Sequence, residues 1–301
     1  MTTVVNPGKR DRLWRSFVIA TPYLWLLLFF LVPFAIVLKI SFADPLVAQP
    51  PFTAFFDWSA DAGNRVLATL DNYRFLIEDK LYLVSYLKSI KIALISTGLC
   101  LLLGFPMAYA IALTPYPWRN LLLLLVILPF WTSFLLRVYA WMVMLGKQGL
   151  INHFLLSTGL IDEPLQMLYT DGAVYLGIVY TYVPFMILPL YATLEKLDLD
   201  LHEAAADLGA RPLQVFRDVT LPLAMPGIIA GCLLVFIPAL GEYVIPALLG
   251  GLDSLMIGRT LYDEFFVNRD WPLASAVAVV LLLILILPIM LFQRLQQEAE
   301  A

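Results

Sequence analysis

Leu201 to Pro222 reads LHEAAADLGARPLQVFRDVTLP, a polar, helix-favouring island set between two long apolar runs. Asp200 or His202 can open a helix here, Glu203 and Asp207 fall one turn apart on it, and Ala204, Ala205 and Ala206 keep it slim. Gly209 ends that helix, because glycine enters the left-handed region without a Cβ penalty at a helix C-terminus. Arg211-Pro212 restarts the chain in a new direction, with Leu213, Val215 and Phe216 as an apolar grip. Two short helices joined by a sharp turn are expected.

The rest of the chain places that island. Of 301 residues 61% are apolar and 14% charged, with a mean hydropathy of +0.84, a composition that belongs to an integral membrane protein. A net charge of -4 argues against a nucleic-acid partner. Cys100 and Cys232 each lie inside an apolar run, as small core residues, and His153 and His202 are isolated, so neither a disulfide framework nor a metal site is expected.

Apolar runs suited to crossing a hydrocarbon core of about 30 Å occur at Phe17–Leu38, Ser89–Leu113, Leu121–Leu145, Ala173–Leu194, Pro226–Leu249 and Leu273–Phe292. Lys9, Arg10, Arg12 and Arg15 precede the first, a flank that stays in the cytoplasm, and the run exceeds a signal-peptide core. It reads as an uncleaved helix. The fold class is therefore all-α and polytopic, with six transmembrane helices, both termini inside and the Glu203 region inside as well. Prolines in nearly every span, among them Pro106, Pro184 and Pro238, imply kinks whose freed carbonyls need protein or water partners.

No G-x-x-x-x-G-K-[ST] phosphate loop is present, so ATP is not expected to bind this chain, and neither a Ser/His/Asp set nor H-E-x-x-H suggests catalysis. Two ionisable residues fall well inside the spans, Arg137 in the third and Glu242 in the fifth. Burying either costs about 2.5–3.5 kcal/mol on insertion scales, so both must face protein or water. They can pair with each other or with backbone carbonyls as a fixed bridge. Alternatively Glu242, beside Tyr243, faces a pathway and meets a cationic amine. Arg137 and Trp141 share a helix face, as do Tyr175 and Tyr182, and these rings either offer π-faces to an ammonium group or simply pack. The outer loops 39–87, 147–172 and 250–272 are mildly acidic, a field that would gather cations.

The spacing Glu203-Ala204-Ala205, three residues, Gly209, nine residues, Val219-Thr220-Leu221-Pro222 resembles the EAA loop of binding-protein-dependent ABC importer permeases, with Val219 where that pattern has Ile. The resemblance implies a coupling helix seated in a groove of a separate ATPase, with Glu203, Ala204, Ala205, Gly209, Leu213, Phe216, Leu221 and Pro222 as coupling residues. Gly241-Glu242-Tyr243-Val244-Ile245-Pro246, Leu248-Leu249-Gly250-Gly251, Met256-Ile257-Gly258, Asn268-Arg269-Asp270-Trp271-Pro272 and Asp71-Asn72-Tyr73 together resemble the spermidine/putrescine permeases, most of all the putrescine branch.

That likeness covers most of the chain after about residue 65. It implies a type I importer of a bacterial inner membrane: this permease, a second related permease, two ATPase subunits holding ATP and Mg, and a periplasmic polyamine-binding protein. It also implies one permease domain over 1–301, with 1–16 cytoplasmic, 17–38 as helix one, 39–87 as a periplasmic loop and 88–293 as a five-helix core containing the cytoplasmic loop 195–224. Glu242, Tyr243, Arg137, Trp141, Tyr175 and Tyr182 are the candidates for the substrate pathway. The alternatives are a related importer for another cationic solute, or an ion-coupled secondary transporter, which would leave the Glu203 loop without a task.

Overall fold

The computed structural model describes residues 9–54, 56–57, 65–66, 68–198, 200–251 and 254–300. Residues 1–8 of the expected cytoplasmic N-terminus, 55, 58–64 and 67 of the expected 39–87 loop, 199 of the expected cytoplasmic loop 195–224, 252–253 of the last outer loop and 301 lie outside the described residues.

In chain order, α1 (Lys9–Leu26) continues through a π turn (Leu27–Leu31) into α2 (Val32–Ile40). A two-residue ladder, β1 (Phe56–Asp57) against β2 (Arg65–Val66), precedes α3 (Asp71–Glu78) and the long α4 (Lys80–Leu113). Then come α5 (Trp118–Ile127), a 3-10 turn (Leu128–Trp131), α6 (Phe134–Leu145), α7 (Leu150–Ser157) and α8 (Asp171–Leu194). The loop helices α9 (Asp200–Asp207) and α10 (Pro212–Val215) lead through a π turn (Phe216–Thr220) to α11 (Leu221–Leu240). The chain closes with α12 (Val244–Leu249), α13 (Ile257–Tyr262), a π turn (Asp263–Val267) and α14 (Trp271–Glu300).

Six stretches are helical, long and apolar enough to cross a membrane: Ser16–Ile40, Lys80–Leu113, Phe134–Ser157, Asp171–Leu194, Pro212–Leu240 and Trp271–Met290. The number agrees with the sequence reading; three boundaries do not. The second span starts at Lys80 rather than near residue 88, because Asp79 caps it, its Oδ1 accepting from Leu81 N at 2.8 Å. The third does not run unbroken over Leu121–Leu145. Pro129 lies in the 3-10 turn, Thr132 and Ser133 are not helical, and α6 starts afresh at Phe134. The fifth begins at Pro212 and stops at Leu240, which leaves Glu242 outside any helix.

The chain divides into two compact units. One comprises residues 1–78 and 264–280. In it Asn72 Nδ2 donates to the carbonyls of Ser41 and Ala43 at 3.0 and 2.8 Å, while Tyr73 OH and Ser41 Oγ are hydrogen bonded at 2.7 Å. Within the polar Asp71-Asn72-Tyr73 triplet it is Asn72 that satisfies carbonyls which the end of α2 leaves open, while Tyr73 meets a side chain there. From Phe17 to Val32, α1, the π turn and the start of α2 expose large apolar side chains such as Trp25 and Phe30.

The other unit comprises residues 79–263 and 281–301. Its centre is α4, α8 and α11, which pack on one another along their lengths. Met186 of α8 is fully buried, and a Cβ at Gly104 of α4 or Gly231 of α11 would come within 2.9 Å of its Cγ or 2.7 Å of its Sδ respectively. The two glycines thus let three helices approach through one side chain, as small residues do in membrane bundles. Ser89 Oγ accepts from Ile257 N at 2.7 Å, fixing the start of α13 on α4.

Candidate functional site

Two places in the second unit hold the residues that the sequence singles out. The first is the helical loop between α8 and α11. α9 begins at Asp200, places Asp200 and Glu203 in its first turn, where carboxylates favour the positive end of a helix, and ends at Asp207. Gly209 has φ +85°, and the turn is closed by Gly209 N donating to Ala206 O at 2.8 Å and Ala210 N to Ala205 O at 3.1 Å. That pair of bonds is a Schellman termination, which needs a left-handed residue at this position. Pro212 opens α10, and Gln214 Oε1 accepts from Arg211 N at 2.7 Å.

Glu203, Ala204 and Pro222 are exposed, and Ala205 and Leu221 are half-buried. Leu213 is 77% exposed and Leu208 90%, so two leucines flank the turn with their side chains in the open. Leu208 gives no signal in the sequence beyond standing beside Gly209. Phe216, expected beside Leu213 in one apolar grip, turns inward instead: its ring meets Phe105 of α4 edge-on, 5.5 Å between centroids. His202 Nε2 and Thr220 Oγ1 are hydrogen bonded at 3.0 Å, a link across the loop that periodicity does not reveal.

Beside the loop, Arg119 ties three helix ends together, another residue the sequence reading passes over. Its Nε and Nη2 donate to the carbonyls of Thr114 and Ala112 at the end of α4, at 3.0 and 2.9 Å. Its Nη1 pairs with Glu195 at the end of α8, at 3.2 Å.

The second place is the break after α11. Glu242 is buried, and its Oε1 accepts from the amides of Val244 and Ile245 at 3.0 and 3.4 Å, the open N-terminus of α12. Its Oε2 accepts from Tyr182 OH of α8 at 2.5 Å. Arg137 is not its partner. The guanidinium lies over the rings of Phe130 and Phe134, 5.2 and 5.9 Å from their centroids, and among the described residues its buried Nε and Nη1 have no hydrogen-bond partner. The fixed bridge between the two charges is therefore absent.

The remaining aromatic candidates divide. Tyr182 also packs on Phe185, whose ring meets Phe130 edge-on at 5.2 Å, so a run of rings leads from Arg137 to Glu242. Trp141 stands edge-on to Tyr180 at 5.4 Å, and Tyr175 is half-buried against the core. Tyr243 stacks on Tyr262 at 4.0 Å, and burial together with its bond to Tyr262 raises its phenol above the ordinary range. The structure thus joins Tyr182 with Glu242 and leaves Trp141, Tyr175 and Tyr243 in packing contacts of their own. Among the described residues no three His, Cys, Asp or Glu side chains gather as metal ligands would.

Comparison with known proteins carries this geometry further. The chain is 45% identical over 230 residues to the spermidine/putrescine transport system permease protein PotB of Escherichia coli K12, covering 76% of this chain and 83% of that one. It is 42% identical over 276 residues to PotB of Haemophilus influenzae, covering 92% of each. In fold it is similar to a chain of a bacterial alginate ABC transporter solved with an alginate pentasaccharide-bound periplasmic protein, with a TM-score of 0.68 at 20% identity over 97% of this chain and 96% of that one. Residues 1–299 match the family described as the binding-protein-dependent transport system inner membrane component, and the chain belongs to that family of multi-pass inner-membrane transport permeases.

Proposed function

We propose that this chain is the permease subunit of an ATP-binding-cassette importer that carries polyamines of the spermidine/putrescine class from periplasm to cytoplasm. The observation that carries the reading is the identity of 45% to a permease named for those two polyamines. ATP and Mg belong to two partner ATPase subunits. A second related permease completes the membrane part, and a periplasmic polyamine-binding protein delivers the substrate.

The loop from Glu203 to Pro222 is the docking element for the ATPase. Its support is geometric: an exposed helix, a turn pinned by Gly209 and two leucines facing outward. With that loop inside, both termini are cytoplasmic and residues 39–87 periplasmic. Alternating access then opens the membrane part to one side at a time. Tyr182 and Glu242 mark the substrate route within this chain, the carboxylate giving a cation an electrostatic partner and the rings of Phe185 and Tyr182 offering π-faces. Arg137 lies at the other end of that run of rings, where its charge disfavours a cation and keeps the amine moving. Trp141, Tyr175 and Tyr243 shape the wall around the route.

Reconstitution in proteoliposomes tests the whole reading. Co-expressed with its partner subunits and supplied with the binding protein, the permease should take up labelled putrescine or spermidine only with ATP inside the ATPase compartment. Uptake independent of ATP, or a complex that purifies without an ATPase, would overturn it.

A further inference from the structure

His202 and Thr220 occupy positions that the E-A-A, G, x-L-P spacing leaves open, one just before Glu203 and the other between Val219 and Leu221. Yet they are hydrogen bonded to each other across eighteen residues of chain, Nε2 to Oγ1 at 3.0 Å. Thr220 is 1% exposed. It ends the π turn Phe216–Thr220 and directly precedes α11. π turns of this kind are rare, and many stand at functional sites.

The exposure pattern of α9 shows which way it faces. Leu201, Glu203, Ala204, Ala206 and Asp207 are exposed, whereas His202 and Ala205, three apart, are half-buried and form its inward side. By the covalent route, α9 reaches α11 only through the turn at Gly209, with φ +85°, and then through α10. A single turn between two short helices is a hinge, and a displacement of α9 could be spent in bending it. The His202–Thr220 bond spans the open side of that hinge. Helix, turn, second helix and bond then make a closed frame, and a closed frame moves as one body.

We infer that His202 is a positioning residue for coupling: it braces α9 against the start of α11, so that motion imposed on the loop reaches the membrane helix. This rests on the reading that the loop docks on an ATPase. It predicts which atom matters, since the bracing contact is made by Nε2 on the far side of the imidazole ring.

The test uses the full complex in proteoliposomes, reading both polyamine uptake and ATP hydrolysis. His202→Ala and Thr220→Val should each lower uptake per ATP hydrolysed by about fivefold or more, within the usual range of coupling between sites. The double variant should be no worse than either single, because both remove the same bond. His202→Gln, whose terminal amide reaches about as far as Nε2, should restore the ratio; the shorter His202→Asn should not. Equal ratios for Gln and Asn, or an unchanged ratio in Thr220→Val, would overturn the bracing role, even if His202→Ala alone fails to assemble. A Leu213→Cys crosslink to the ATPase, made in a chain with Cys100 and Cys232 replaced, separates the two ideas. Its presence alongside normal coupling in Thr220→Val sinks the brace alone; its absence in the otherwise native loop sinks the docking reading itself.

Discussion

The hydroxyl of Tyr182 donates to Oε2 of Glu242 across 2.5 Å, joining the middle of α8 to the break that follows α11. The same carboxylate caps α12 through Val244 N and Ile245 N. One side chain therefore fixes where the fifth span ends and where the next helix begins.

Tyr182→Phe removes the side-chain donor and leaves the carboxylate on two amides. Hydrogen bonds to charged groups contribute about 1.5–3 kcal/mol, so the variant should lose roughly that much stability. Thermal unfolding of the purified complex would show it. Glu242→Gln should be milder, because a glutamine carbonyl still accepts from α12. An unchanged transition in Tyr182→Phe would mean that the bond adds nothing.

Because Arg137 and Glu242 do not pair, their substitutions should act independently. Arg137→Gln and Glu242→Gln should combine additively in stability, within about 0.5 kcal/mol, as separate sites do. A true bridge behaves otherwise, since removing both partners repairs much of the harm of removing one. Restoration of abundance in the double variant would contradict the arrangement seen here.

A third expectation concerns the helix core. Cβ of alanine at Gly104 would lie 2.9 Å from Met186 Cγ and 3.3 Å from its Cβ, with no backbone among its nearest neighbours. Gly104→Ala should therefore cost about 1–3 kcal/mol by overpacking. Met186→Ala empties the same space and costs about 2–5 kcal/mol alone. Together they should cost less than the sum of the two, measured by unfolding midpoints. Simple additivity would show that the helices separate to make room.

The spans were legible because twenty or so apolar residues have few other uses, and the Gly209 turn was legible because one residue type suits its backbone. What stayed hidden depends on partners distant in sequence. Leu240 to Leu249 reads as a continuation of an apolar helix, and only the seizure of the Val244 and Ile245 amides by Glu242 shows why it stops. Asp79 likewise moves the start of α4 by a bond to Leu81, which hydropathy cannot register. In the loop, Phe216 and Leu213 are equally apolar, and nothing local says that one turns to Phe105 and the other to solvent.

Gly209 allows the sharpest separation of coupling from folding. Its φ is +85°, and a Cβ built there meets nothing within 4 Å. Any penalty for a side chain at this position is therefore torsional rather than steric crowding by neighbours. A β-branched residue in the left-handed region costs about 1–3 kcal/mol, while asparagine tolerates it. Gly209→Val should release the Ala205 and Ala206 carbonyls from the turn and so displace Leu208 and Leu213, yet leave the membrane helices intact. The expected result is normal abundance, ATP hydrolysis that no longer drives uptake, and near-normal uptake in Gly209→Asn. Uptake in proteoliposomes at matched protein levels measures the difference. If Gly209→Val transports as well as Gly209→Asn, the left-handed turn is not what holds the loop in its working shape.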